Sequence, residues 1–231
     1  MRDIDATIIT GQALVGTTVG YSQCPSDEYP SVSFQLANWD NEGPGNNAVT
    51  NYAGNRGTMR MDSHGGCQQF STELRPLVNV EWHPRYGPMA NRGADCNSAA
   101  SCSGIMGNAA YGAKISQILD GTANTFCIGE ILPECRGDVG FYRGSMWTSN
   151  RHSVHTFTNP PSNFDTCPPH TSGPCDNMND YAVYTGFKST HPGGVQFVLC
   201  DDSVRMISDG IDLATYHRLG ERSDEQVVGD F

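Results

Sequence analysis

The sequence predicts an α+β, mostly β domain: an antiparallel sheet carrying long loops pinned by disulfides. Three observations predict it. Charged residues make up 17% of the chain, below the roughly 25% of an average soluble domain, while glycine, asparagine, serine and threonine fill long turn-rich stretches. An apolar run, a turn and an alternating run follow one another near the C-terminus. There are nine cysteines, and no two of them form a CxxC pair. A chain of 231 residues can bury a core without metals or staples. It reads as one domain, 1–231, with loop insertions over 58–112 and 131–187.

Residues 6–20, ATIITGQALVGTTVG, are rich in β-branched side chains and predict one or two short strands. Cys24-Pro25-Ser26-Asp27 breaks that run. From Glu28 to Gly57, aromatic residues alternate with Asn and Gly, as in short strands joined by turns. Ala113–Leu119 is a short element ending at the Asp120-Gly121 turn signal, and Thr122–Glu130 reads as a strand. Val195–Cys200 reads as an apolar strand, Asp201-Asp202 as a tight turn, and Ser203–Ile207 as the returning strand. Ser208-Asp209-Gly210 is a second turn. Asp212 or a neighbour caps a short helix, Leu213–Leu219, which Gly220 stops.

The formal net charge is −11 and the basic residues are scattered. The chain therefore lacks the footprint that a nucleic-acid ligand requires, and anionic membrane surfaces are disfavoured too. Structural zinc sites bring ligands in pairs two to four residues apart; that pattern is missing, so zinc is not expected. Calcium is the cation the acidic balance favours. Asp176, Asn177, Asn179 and Asp180 offer four oxygen-bearing side chains in one short run, which reads equally as an Asx-rich turn. Asp201 and Asp202 form a second, sparser set.

The cysteines point to an oxidising compartment. A disulfide is expected near Cys96 and Cys102, and another closing the loop that holds Cys167 and Cys175, with connectivity left open. Cys127 and Cys200 sit in apolar runs and read equally as buried thiols. The odd count leaves at least one thiol unpaired or shared between subunits. No apolar run is long enough for a membrane span, and the first residues do not read as a signal peptide. An export signal is therefore expected upstream of Met1.

Four blocks resemble a known family, the pilin-like proteins of planctomycete-type bacteria. Cys24-Pro25-Ser26-Asp27 resembles its first internal block, and Asn51-Tyr52-Ala53-Gly54-Asn55-Arg56-Gly57 its second. The third runs from Ile118-Leu119-Asp120-Gly121-Thr122-Ala123-Asn124-Thr125 to Gly129-Glu130. The last begins at His191-Pro192-Gly193-Gly194, and nine residues, Pro192 to Cys200, separate His191 from Asp201. The resemblance implies a pseudopilin-like antiparallel sheet, export, and contacts between copies of the chain. In that family a long N-terminal helix anchors the precursor, and no such helix is legible here. Asp202 stands where the family carries glycine, a position that a hairpin turn reserves for positive φ.

The expectation is a structural, non-enzymatic subunit or accessory of a cell-surface or extracellular filament. Its partners would be copies of itself, other envelope or filament proteins, or glycans, and it needs no cofactor unless calcium binds. His191 with Gly193 and Gly194 reads either as an active-site loop or as a turn whose histidine bonds nearby backbone. The first option leads to a hydrolase using His191 and an aspartate. Asp120 and Asn124 read either as a recognition loop or as side chains holding a turn, and Glu130 as the partner of an arginine such as Arg205. Trp39, Trp82 and Trp147 lie in loop-like text, the basis of an alternative reading as a glycan-binding module. No nucleophile elbow, HExxH run or phosphate loop is present.

Overall fold

A computed structural model of the chain describes residues 16–30, 32–33, 47–58, 102–107, 111–135, 155–167 and 184–231. Two short strands, β1 (Val32–Ser33) and β2 (Asn47–Ala48), pair antiparallel as a separate ribbon. The main sheet contains β3 (Tyr52–Asn55), β4 (Phe126–Glu130), β5 (His155–Thr156), β6 (Gly194–Leu199) and β7 (Val204–Ser208), in the order β5-β3-β4-β6-β7. Its four strands β3, β4, β6 and β7 run antiparallel, as the sequence predicts, while β5 adds a short parallel edge beside β3.

The C-terminal unit forms because its side chains alternate. In β6, Val195, Phe197 and Leu199 are buried, and in β7 Ile207 faces the same core. The connection is a three-residue loop, Cys200–Asp202, and not the two-residue turn the sequence predicts. Leu199 donates to Ser203 O at 2.9 Å, and Asp202 takes φ 68°. A left-handed third residue is what this hairpin class requires. Asp201 accepts from Ser203 N at 3.0 Å and so holds the bend. Two glycines shape the start of the unit. Gly193 has φ +86°, and a Cβ on Gly194 would come within 2.2 Å of Ile207 O.

Helix α1 (Leu213–Gly220) is capped by Asp212, which accepts from Thr215 N at 2.9 Å. It presses Tyr216 and Leu219 into a core with Ala53, Phe126, Ile131, Phe187, Val195, Phe197 and Ile207. Phe126 stacks on Phe197 with ring centroids 3.9 Å apart, and Phe187 meets Phe197 edge-on at 4.8 Å. Each such aromatic pair contributes roughly 0.5–1.5 kcal/mol beyond area burial.

Three expectations are corrected. Of the strands predicted over 6–20, residues 16–20 contain none. Ser22 instead turns back onto Val19 O and closes a 3-10 turn, Gly20–Ser22; residues 6–15 lie outside the described residues. The predicted strand over Thr122–Glu130 begins only at Phe126. Thr122–Asn124 is a 3-10 turn because Gly121 has φ +94° and Thr125 Oγ1 and Asn124 Nδ2 bond the carbonyls of Gly121 and Asp120. Such local side-chain bonds compete with a strand ladder. Cys167 pairs with Cys135, 32 residues away, and not with Cys175. Cys135 ends a 3-10 turn, Pro133–Cys135, directly after β4, and Thr166 Oγ1 donates to Cys135 O at 3.1 Å. These contacts bring Cys167 against the sheet.

The disulfide closes a long loop. Chain-entropy reasoning for a separation of 32 residues gives a stabilisation of about 3–4 kcal/mol. The paired substitution Cys135→Ser with Cys167→Ser should lower the urea-unfolding free energy by about that amount, leaving the far-UV spectrum unchanged at low denaturant.

Candidate functional site

Three residues from three separate sequence blocks meet beside the sheet. Cys24 follows the first 3-10 turn, Glu130 ends β4, and His191 precedes β6. Cys24 Sγ lies 3.7 Å from Glu130 Oε1 and 3.7 Å from His191 Nε2, and His191 Nε2 lies 3.3 Å from Glu130 Oε1. Cys24 and Glu130 are buried, at 7% and 3% exposure, while the His191 side chain is 26% exposed and opens the group to solvent. Cys24 is a free thiol. Both neighbours approach the same imidazole nitrogen. In a nucleophilic triad the nucleophile and the orienting carboxylate occupy opposite ring nitrogens, so this is a convergent group and not a relay.

Neighbouring motif residues hold the three in place. Pro25 takes the second position of a turn closed by Asp27 N to Cys24 O at 3.1 Å. Asn51 Oδ1 accepts from Cys24 N at 2.9 Å, and Asn51 Nδ2 donates to Asp27 Oδ2. The Asn51 carbonyl accepts from Ile131 N at 2.7 Å, tying the first two blocks to the end of β4. Tyr52 pairs with Glu130 in the sheet, and Gly54 pairs with Ile128 and His155. Burial, reinforced by the nearby Cys24 and Glu130, pushes the Tyr52 phenol above its ordinary pKa. Glu130 Oε2 accepts from Gln196 N at 2.9 Å, and Thr190 Oγ1 donates to Ser26 O at 3.0 Å.

Glu130 therefore faces His191 and not Arg205, whose guanidinium lies 5.0 Å from the Phe231 ring centroid. His191 uses its side chain on Cys24 and Glu130 where the turn reading expects a bond to nearby backbone. Asp120 and Asn124 take the structural option. Asn124 holds its own turn, and the Asp120 carboxylate accepts from Asp224 N and Glu225 N at 2.8 Å each, clamping the C-terminal segment. Asp201 and Asp202 belong to the hairpin bend.

Cys127 and Cys200 are half-buried free thiols that hydrogen-bond to each other. The bond from Cys200 pulls the Cys127 thiol down, and the same contact with burial pushes Cys200 up. Cys102 is disulfide-bonded. Cys96, Cys175, the run Asp176, Asn177, Asn179 and Asp180, and Trp39, Trp82 and Trp147 lie outside the described residues.

A second buried polar group escapes sequence reasoning. Asn55 Nδ2 donates to Phe126 O and Gly220 O at 2.9 and 2.8 Å, and its Oδ1 accepts from Gly57 N. Glu221 accepts from Thr58 N at 3.1 Å, and Arg222 Nη1 donates to Cys102 O and Gly104 O. Arg56 lies 4.8 Å from the Phe157 ring centroid. The only signal was local: Asn55-Arg56 and Glu221-Arg222 adjoin the glycines Gly57 and Gly220 in otherwise weakly charged text.

Residues 8–214 match the family described as a protein of unknown function (DUF1559). The chain belongs to that family. No curated protein and no solved structure matches it.

The Asp120 clamp yields a pH prediction. Burial, with the Asp120 charge beside it, pushes the Asp224 carboxyl up to about 7 from an ordinary 3.8. The unfolded state then binds fewer protons than the folded one between those values, so this group lowers stability as pH rises through that window. Asp224→Asn should raise the unfolding midpoint at pH 8 by about 2–4 °C, with the difference vanishing near pH 4. Thermal scans at the two pH values check it.

Proposed function

We propose that this chain is the globular part of a cell-surface, pilin-like protein and acts structurally through contacts with copies of itself. The observation that carries this reading is the outward face of the sheet. In the registers of β4, β6 and β7, Ile128 pairs with Val198, and Val198 with Val204. Alternation puts Met206 on that same face, away from the core. Val204 is 63% exposed and Met206 50% exposed. β7 is also the last strand of the sheet, and its outer edge has no strand partner among the described residues. An apolar strand with an open ladder is a template for a further strand, which natural proteins usually blunt with charge. Here Arg205 is the only charged residue in β7.

Two further points support the reading. DUF1559 is a family commonly found in planctomycete prepilin-like proteins. The motif side chains Asp27, Asn51, Asp120 and Asn124 are engaged in bonds that hold backbone or one another. This suits a rigid building block better than a reactive cleft. No helix among the described residues is long and apolar enough to cross a membrane.

Replacing Val204 and Met206 together by lysine should abolish self-association in sedimentation velocity and filaments in negative-stain images. Because both side chains are exposed, stability should change by less than about 1 kcal/mol. A wild-type chain that stays monomeric at the highest soluble concentration, with no filaments in native material, would contradict the proposal.

A further inference from the structure

The geometry points to a metal site of zinc type formed by Cys24 Sγ, Glu130 Oε1 and His191 Nε2, an assignment independent of the pilin-like role. Zinc binds about 2.3 Å from a thiolate sulfur and about 2.1 Å from nitrogen or oxygen, in tetrahedral geometry. Those bond lengths place the sulfur about 3.6 Å from its nitrogen and oxygen neighbours, and the nitrogen about 3.4 Å from the oxygen. The observed separations are 3.7, 3.7 and 3.3 Å. A single ion at the centre of the three atoms therefore satisfies every ligand distance with almost no movement. The three donor atoms all lie within 4.8 Å of one another.

The donor chemistry selects the ion. One thiolate, one imidazole and one carboxylate suit zinc, whereas calcium and magnesium take oxygen donors. The outer shell of a metal site is also present. Gln196 N donates to Glu130 Oε2, so Oε1 is the oxygen left for an ion, and Asn51 Oδ1 accepts from Cys24 N and fixes the cysteine backbone. The partly exposed His191 marks the route by which an ion arrives. On binding, the Cys24 S–H bond breaks, the sulfur lone pair goes to the metal, and the proton leaves to solvent. Three protein ligands leave a fourth position for water. The local-spacing rule that argued against zinc does not reach this set, because its ligands come from residues 24, 130 and 191.

The test uses the whole chain with its disulfides intact, stripped with a chelator and handled without oxygen. Zinc should be retained through gel filtration at about one equivalent per chain, and the unfolding midpoint should rise with zinc concentration. Cobalt(II) in place of zinc should give a thiolate-to-cobalt absorption band. Changing an outer-shell partner typically weakens metal affinity about 10–100-fold, so Cys24→Ser and His191→Ala should each lose at least about 100-fold. The paired change Cys127→Ser with Cys200→Ser should keep both the band and the zinc. His191→Ala removes a partly exposed side chain, so it reports on the site even if Cys24→Ser fails to fold. No retained zinc in the wild-type chain, equal affinity in His191→Ala, or a cobalt band that disappears with Cys127 and Cys200 would each overturn the assignment.

Discussion

The structure depends on the pairing of β4 with both of its neighbours. β4 bonds to β3 on one side and to β6 on the other, which joins segments some seventy residues apart on each side. Such non-local pairing carries a large loop-closure entropy. It is offset by the aromatic layer beneath, where Phe126 of β4 stacks on Phe197 of β6 and Tyr216 of α1 tilts against both. Gly129 shows how tight this junction is, since a Cβ there would come within 2.5 Å of the Phe197 ring. The same pairing that builds the core carries Glu130 to the place where Cys24 and His191 meet.

Polar burial is the second constraint. Arg56, Arg222, Lys188 and Glu221 are each at most 1% exposed, and an uncompensated buried charge costs several kcal/mol. The chain meets this by bonding the backbone carbonyls and N–H groups of loops that lack ladders of their own. Arg222 bonds the loop at Cys102 and Gly104, and Glu221 bonds Thr58. These groups act in the manner of secondary structure where turn-rich sequence provides none. The motif residues are therefore spread along the chain, because each ties one irregular segment to the sheet. His217 is part of this economy. Burial pulls its imidazole down to about 4, and its Nε2 sits 2.9 Å from Asn159 O.

What the sequence shows follows from how local each signal is. The β6–β7 hairpin and the α1 cap were legible because alternation, Asp201-Asp202 and Asp212 all lie within a few residues of what they shape. The start of β4 was misplaced because Thr122–Thr125 has strand-like composition but spends its side chains on its own carbonyls. The Cys135–Cys167 bond was not legible because sequence leaves connectivity open, whereas pairing is decided by what the end of β4 brings near. Cys24, Glu130 and His191 each stand in a separate block, yet their meeting was not legible, since no spacing rule links residues 61 to 167 positions apart.

The roles proposed for the outward sheet face, toward a neighbouring chain, and for the three-residue group, toward an ion, both rest on the central strand. Native-state hydrogen exchange tests that dependence most directly. Amides of Phe126–Glu130 and Val195–Leu199 should exchange only through global unfolding, with the highest protection in the chain. Exchange of the β4 amides at loop rates, while helix α1 stays protected, would contradict the account.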